Sequence, residues 1–154
     1  MNPLPILFSF VVIGGILYLF VRQNRERTSN APLRGKIQEQ VRFSTTLDHA
    51  SILGTGGFHG TRGQWIRFKG PKRLAVGTDA FMISMPQALR EYVFTGNETS
   101  IAYSQELSGL RVRDWIVITG RAGNRQVHLA ITSKQRLPEI WQALADTGAA
   151  QVAG

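Results

Sequence analysis

The stretch Trp115–Thr132, WIVITGRAGNRQVHLAIT, decides the fold class. Two runs rich in β-branched residues, WIVITG at 115–120 and RQVHLAIT at 125–132, lie on either side of Ala122-Gly123-Asn124. In the second run apolar residues alternate with polar ones, which is the period of a strand with one buried face. A Gly-Asn pair between two such runs is typical of a tight turn. The stretch therefore predicts an antiparallel hairpin.

Earlier in the chain, five more short runs with β-forming composition are separated by Gly, Pro and Asn. They are residues 64–69, 73–76, 81–85, 91–94 and 99–104. Gly70-Pro71 predicts a turn, and Gly96-Asn97 predicts a second hairpin. Because the strands are short and evenly spaced, the sequence indicates an antiparallel meander and not a βαβ chain.

One amphipathic helix is predicted after the last strand. Its apolar residues repeat at helical spacing, at Leu137, Ile140, Trp141 and Leu144. Pro138 suits the first turn of a helix, and Gly148 suits a stop. Residues 149–154 are expected to form a flexible tail.

Seven short strands followed by one helix resemble the pleckstrin-homology superfold, in its bacterial or GRAM-like branch. The resemblance runs through RLAVGTDAFMISM, WIVITGRAGNRQVHLAIT and LPEIWQAL, and it covers roughly residues 62–148. It implies a mainly β fold in which about seven antiparallel strands form a partly open barrel capped by the C-terminal helix. SH3-like and lipocalin-like barrels fit less well, since they do not end on a helix packed in this way.

The organisation of the whole chain is predicted from Leu4–Val21, LPILFSFVVIGGILYLFV, which carries no charge. At ~1.5 Å per helical residue it reaches roughly 27 Å, close to the ~30 Å hydrocarbon core of a bilayer. We interpret it as a transmembrane helix within residues 1–22. A cleaved signal would show a basic start and a small-residue cleavage site, and a buried core helix would show a polar stripe.

Basic residues flank this span on one side only. Arg22, Arg25 and Arg27 follow it, and no Lys or Arg precedes it. The positive-inside rule then predicts a cell-membrane protein with its N-terminus outside and its C-terminal part in the cytoplasm. Residues 23–35 have a linker's composition, and residues 36–148 form the predicted domain, within which 36–61 receive no assignment. The absence of Cys fits a cytoplasmic domain.

Five side chains form the candidate anion site: Trp65, Arg67, Lys69, Lys72 and Arg73. Several Lys and Arg converging on one turn make a multidentate anion site, and Trp can insert at headgroup level. In lipid-binding members of the resembled family, basic residues at the ends of the first two strands hold inositol phosphates. The alternative is a solvated basic hairpin with Trp65 in the core.

A second basic group surrounds the later hairpin and serves to orient the domain. It comprises Arg111, Arg113, Arg121 and Arg125. The net charge of +8 attracts anionic lipid or nucleic acid. Membrane tethering favours the lipid, so the inner leaflet is the expected partner and nucleic acid is not.

Catalysis is not predicted, and neither is a cofactor or a metal. His49, His59 and His128 lie in unlike contexts, and the chain lacks the H-E-x-x-H and G-x-S-x-G motifs. His128 falls on the polar face of its strand, which favours a solvated residue over a ligand. The Gly-rich run GTGGFHGTRG at 54–63 is not followed by Lys-Ser/Thr, which favours a loop or hairpin over a phosphate cradle.

These observations predict a single-pass membrane protein with a non-catalytic pleckstrin-homology-like domain at the inner leaflet, binding a partner protein as a scaffold. Two alternatives stay open. One is a specific anionic-lipid sensor that uses the basic turn at 67–73. The other is an accessory subunit of a larger membrane complex, with the span packing on other helices around Gly14-Gly15.

Overall fold

The computed structural model describes residues 4–55, 62–88 and 90–153, with the backbone alone at 4–8 and 22–30. It has two α-helices and ten strands in these residues. They are α1 Leu4–Glu39, β1 Phe43–Thr46, β2 His49–Leu53, β3 Trp65–Arg67, β4 Arg73–Val76, β5 Ala80–Met85, β6 Arg90–Thr95, β7 Ser100–Ser104, β8 Trp115–Ala122, β9 Arg125–Thr132, α2 Leu137–Asp146 and β10 Ala150–Val152. The chain divides into two compact units, up to Pro32 and from Leu33 onward.

The strands form two sheets. One sheet has the order β1-β4-β5-β6 and is antiparallel throughout, and the other has the order β10-β7-β8-β9-β2-β3, in which only β10 runs parallel to its neighbour. The prediction of a mainly β fold with a C-terminal helix is confirmed. The sheets are not closed into a barrel.

The hairpin predicted from Trp115–Thr132 is confirmed and is formed by β8 and β9. Ala122 pairs with Arg125, and Gly123 opens the two-residue loop at φ 66°, a conformation that favours glycine. All seven predicted strands are present, as β3 to β9. β1, β2 and β10 are additional, and β10 occupies residues 150–152, where the sequence predicted a flexible tail.

Two of the predicted turns, one of them predicted as a hairpin, are crossings between the sheets. β6 and β7, on either side of Gly96-Asn97, lie in different sheets, so the predicted hairpin there is wrong. The reason is a tertiary contact. The main-chain carbonyl of Thr147, which follows α2, packs so closely on Gly96 that a Cβ there would overlap it. The turn at Gly70-Pro71 likewise joins strands of different sheets.

The main core contains residues from both sheets and from α2. Phe81 and Phe94 stack at its centre with ring centroids 5.1 Å apart. Ile140 and Leu144, on the apolar face of α2, are fully buried in the same cluster. The predicted amphipathic helix is therefore confirmed.

The end of α1 packs on the four-stranded sheet and not on the main core. Ile37, 1% exposed, joins a small cluster with residues of β4, β5 and β6, namely Ala75, Ala80, Met82 and Val93. Lys36 pairs with Asp79 at 2.8 Å, and Arg34 pairs with Glu91 at 3.8 Å.

The described part of α1 corrects the predicted membrane anchor. Among the residues that the structure describes, no helix is both long and apolar enough to cross a bilayer. The prediction of a single-pass transmembrane protein is therefore wrong, and the cell-membrane localisation derived from it is not supported. The large apolar side chains from Phe10 to Val21 are exposed.

Candidate functional site

The candidate site begins on the antiparallel pair β2–β3. Ser51 lies opposite Arg67, and Leu53 lies opposite Trp65. Since side chains alternate along a strand, His49, Ser51 and Arg67 share one face of the sheet. Ala50 and Ile52, on the other face, pack with the main core. The three polar side chains therefore lie on the face of the six-stranded sheet that is turned away from the main core, where Ser51 is buried and Arg67 is exposed.

Both strands bend at the end of this pair, where each continues into the other sheet. The Phe68 amide donates to the Ala50 carbonyl at 2.9 Å, and the Leu47 amide donates to the Lys72 carbonyl at 2.9 Å. Gly70 makes the bend at φ 81°. The Lys72 side chain folds back over this bend, and its ammonium donates to the Gly70 carbonyl at 2.6 Å.

Three basic side chains meet at this bend, and we call His49, Arg67 and Lys72 the cationic corner. Arg67 Nη2 contacts both ring nitrogens of His49, at 3.2 Å from Nε2 and closer to Nδ1. A guanidinium can only donate, so the nitrogen that faces it must be unprotonated. Burial and the charges of Arg67 and Lys72 lower the pKa of His49, which agrees with a neutral ring.

Lys72 is the least exposed cation of the corner, at 6%. Burial lowers the pKa of its ammonium, and the Arg67 charge lowers the pKa further, while Asp48 acts in the opposite direction. Asp48 is engaged elsewhere, because its Oδ2 accepts from the Lys134 amide at 2.7 Å. Within the described residues, no carboxylate lies within ion-pair distance of Arg67 or Lys72.

An aromatic residue flanks the corner. The Trp115 ring centroid is 6.3 Å from that of His49, and the Trp115 indole N–H donates to the Val112 carbonyl at 2.8 Å. Trp115 is completely buried. The corner therefore has a fixed apolar wall beside its imidazole, which limits the access of water to that side.

The structure brings together two of the five residues predicted for the anion site, Arg67 and Lys72. Trp65 lies on the same strand face as Arg67 and is half-buried outside the core clusters. Lys69 and Arg73 are exposed and have no ion-pair partner among the described residues. Sequence reasoning missed His49, whose contact with Arg67 crosses two strands and leaves no local signal.

The second basic group does not form one surface. Arg111 and Arg113 precede β8, whereas Arg121 and Arg125 lie at its far end, roughly 23 Å away along the strand. Arg113 pairs with Glu106 at 2.7 Å, and both residues line a cavity of about 450 Å³ formed by the loop at 106–113. The four arginines therefore cannot share one ligand of small size.

The other candidate features carry less chemistry. His128 Nδ1 is 3.0 Å from Thr119 Oγ1 on the neighbouring strand. His59 lies outside the described residues, as does most of the Gly-rich run, whose base is closed by the Gly63 amide donating to the Gly54 carbonyl. The side chains of Arg22, Arg25 and Arg27 also lie outside that part. In the described ranges, no three His, Cys, Asp or Glu residues are grouped to hold a metal.

Comparison with protein-family models finds no match for this chain. Comparisons with curated proteins and with solved structures find none either. The expected membership of the pleckstrin-homology family on a transmembrane anchor is therefore corrected, since neither a family match nor a spanning helix among the described residues supports it. Function must be argued from the cationic corner itself.

Proposed function

We propose that the domain is a non-catalytic binding module that holds an anionic group at the cationic corner. The observation that carries this proposal is the Lys72 side chain, which is only 6% exposed and whose ammonium has the neutral Gly70 carbonyl as its one described partner. A buried cation is ordinarily paired with a carboxylate or with a bound anion. Because no described carboxylate lies within ion-pair distance of Lys72, we infer that its partner is the anionic group of a ligand.

Electrostatics favours this proposal. Two unit charges 4 Å apart attract by about 4 kcal/mol at an effective dielectric constant of about 20, before desolvation is subtracted. Arg67 adds a planar fork that binds an oxyanion through two parallel hydrogen bonds. It is exposed, so a ligand can reach it without unfolding the sheet. Lys72 then supplies positive charge, and Arg67 supplies charge together with two directed hydrogen bonds.

The proposal has a second part, which concerns the fold: the order of strands and helix along the chain follows the pleckstrin-homology-like layout. Seven strands, β3 to β9, followed by a helix that covers the core, support it. In such a layout the corner would lie where the chain passes from β3 in one sheet to β4 in the other. The role of the domain as a scaffold for a partner protein is proposed on the same basis.

The test is a titration of the full-length chain with inorganic phosphate, followed by the fluorescence of its tryptophans. We expect saturable binding that Arg67→Gln and Lys72→Met each weaken. Arg121→Gln is the matched control, because it removes an equally exposed strand arginine far from the corner. If Arg67→Gln and Arg121→Gln bind phosphate with equal affinity, the proposal is wrong.

A second arm identifies the source of the anion. The full-length chain is mixed with vesicles of phosphatidylcholine, with and without phosphatidic acid, in the presence and absence of competing phosphate. If the native chain binds the phosphatidic acid vesicles, phosphate releases them, and Arg67→Gln does not bind them, the ligand is a lipid headgroup. Saturable phosphate binding without that competition would assign a soluble phosphate compound.

A further inference from the structure

A buried hydroxyl beside the cationic corner has no hydrogen-bond partner. Ser51 is completely buried, and its Oγ finds no acceptor or donor within the part of the chain described here. Leaving such a group unsatisfied is unfavourable by about 1–3 kcal/mol. Native structures seldom carry this loss unless a ligand or a water satisfies the group in the working state.

The position of this hydroxyl relates it to the anion site. Ser51 lies directly opposite Arg67 on β3 and opposite Ala130 on β9. His49 lies two residues earlier on the same strand face. The contact between Arg67 and His49 is therefore made by the two side chains that flank Ser51, and an anion that displaces this contact would meet the hydroxyl.

Three kinds of donor are thus available on one face: a guanidinium, a hydroxyl and an imidazole. A planar carboxylate can be satisfied by the guanidinium fork alone. A tetrahedral oxyanion has acceptor oxygens in more directions, and it can use the hydroxyl and the imidazole as well.

We propose that Ser51 and His49 complete the site, so that it selects a tetrahedral oxyanion of the phosphate type and takes up a proton when that anion binds. This inference rests on the proposed anion-binding function and names the class of its ligand. Ser51 donates its hydroxyl hydrogen to one oxygen, and Arg67 turns from His49 to donate to two others. His49 then becomes a protonated donor.

The proton is taken up because the charges around His49 change. Four charged groups act on the ring: Arg67, Lys72 and Lys134 lower the pKa of His49, and Asp48 raises it. When Arg67 turns to the anion, the ring nitrogen that accepted from it becomes free to bind a proton. The anion adds a negative charge next to the ring. Both changes raise the pKa of His49, so affinity increases as the pH falls.

The experiment compares anions and variants on the full-length chain. Phosphate and sulfate should bind more tightly than acetate, and Ser51→Ala should reduce sulfate affinity about tenfold, as expected for a lost hydrogen bond to a charged group. Ser100→Ala is the matched control, because this hydroxyl lies on the same sheet face but donates to the Thr119 carbonyl. Ser51→Ala should also raise the melting temperature of the free protein, which a merely damaged fold would not do.

The pH series uses sulfate, whose charge stays constant between neutral and mildly acidic pH. Sulfate affinity should rise on acidification in the native chain and should be independent of pH in His49→Gln. If Arg67→Gln abolishes binding while Ser51→Ala and His49→Gln leave affinity and its pH dependence unchanged, this inference is wrong and the proposed function stands. If Arg67→Gln leaves binding unchanged, both are wrong.

Discussion

Ile37→Ala tests whether the last turns of α1 are an integral part of the β domain. Ile37 is 1% exposed and packs with Ala75, Met82 and Val93 on the four-stranded sheet. The substitution removes three buried carbons at ~0.8 kcal/mol each, and the cavity left behind adds to that loss. We expect the free energy of unfolding to fall by about 3 kcal/mol.

The measurement is urea unfolding of the full-length chain, followed by tryptophan fluorescence. Val41→Ala is the matched control, because Val41 is 45% exposed four residues further on, and its truncation should change stability by less than ~0.5 kcal/mol. The ion pairs Lys36–Asp79 and Arg34–Glu91 should contribute at most ~1 kcal/mol each, since all four side chains are partly solvated. Equal losses for Ile37→Ala and Val41→Ala would refute the reasoning.

Three further substitutions test the fold and the corner, each by unfolding of the full-length chain. Gly35→Ala should stabilise by about 0.5–1 kcal/mol, because Gly35 lies inside α1 with open space where a Cβ would point, and equal or lower stability would contradict this. Gly96→Ala should destabilise by at least ~2 kcal/mol, because its Cβ would overlap the Thr147 carbonyl, and a neutral result would contradict the described crossing. Folding lowers the pKa of His49, so the native chain should lose stability as the pH falls below about 6.5. The His49→Gln variant should lose less stability over the same pH range. Parallel stability profiles for the two proteins would contradict the lowered pKa.

Local patterns predicted the strands well because alternation and turn residues act over short distances. The β8–β9 hairpin follows from residues 115–132 alone, and its pairing from Ala122–Arg125 onward agrees with that pattern. Gly96-Asn97 carries a similar turn signal, yet it marks a crossing between sheets. What decides between the two is a contact with Thr147, about fifty residues later, which no local pattern contains.

The candidate site likewise contains residues that the sequence predicts and residues that only the tertiary structure brings in. Arg67 and Lys72 are close in sequence, so a cluster of basic residues predicts them. His49 and Ser51 join them only because β2 pairs with β3 in one particular register. A shift of that register by one residue would turn both side chains to the other face. A local sequence pattern therefore could not predict His49 and Ser51, the two donors that would give the site its selectivity.

The cationic corner also links ligand binding to the stability of the whole domain. The bend that carries Lys72 is held by backbone hydrogen bonds from both sheets, the Phe68 amide to Ala50 and the Leu47 amide to the Lys72 carbonyl. An anion that binds only the folded corner stabilises it by about 2.7 kcal/mol at a hundred times its dissociation constant. Because the unfolded chain cannot keep these donors together, this gain should appear as a higher melting temperature with phosphate, and it should vanish in Arg67→Gln but persist in Arg121→Gln.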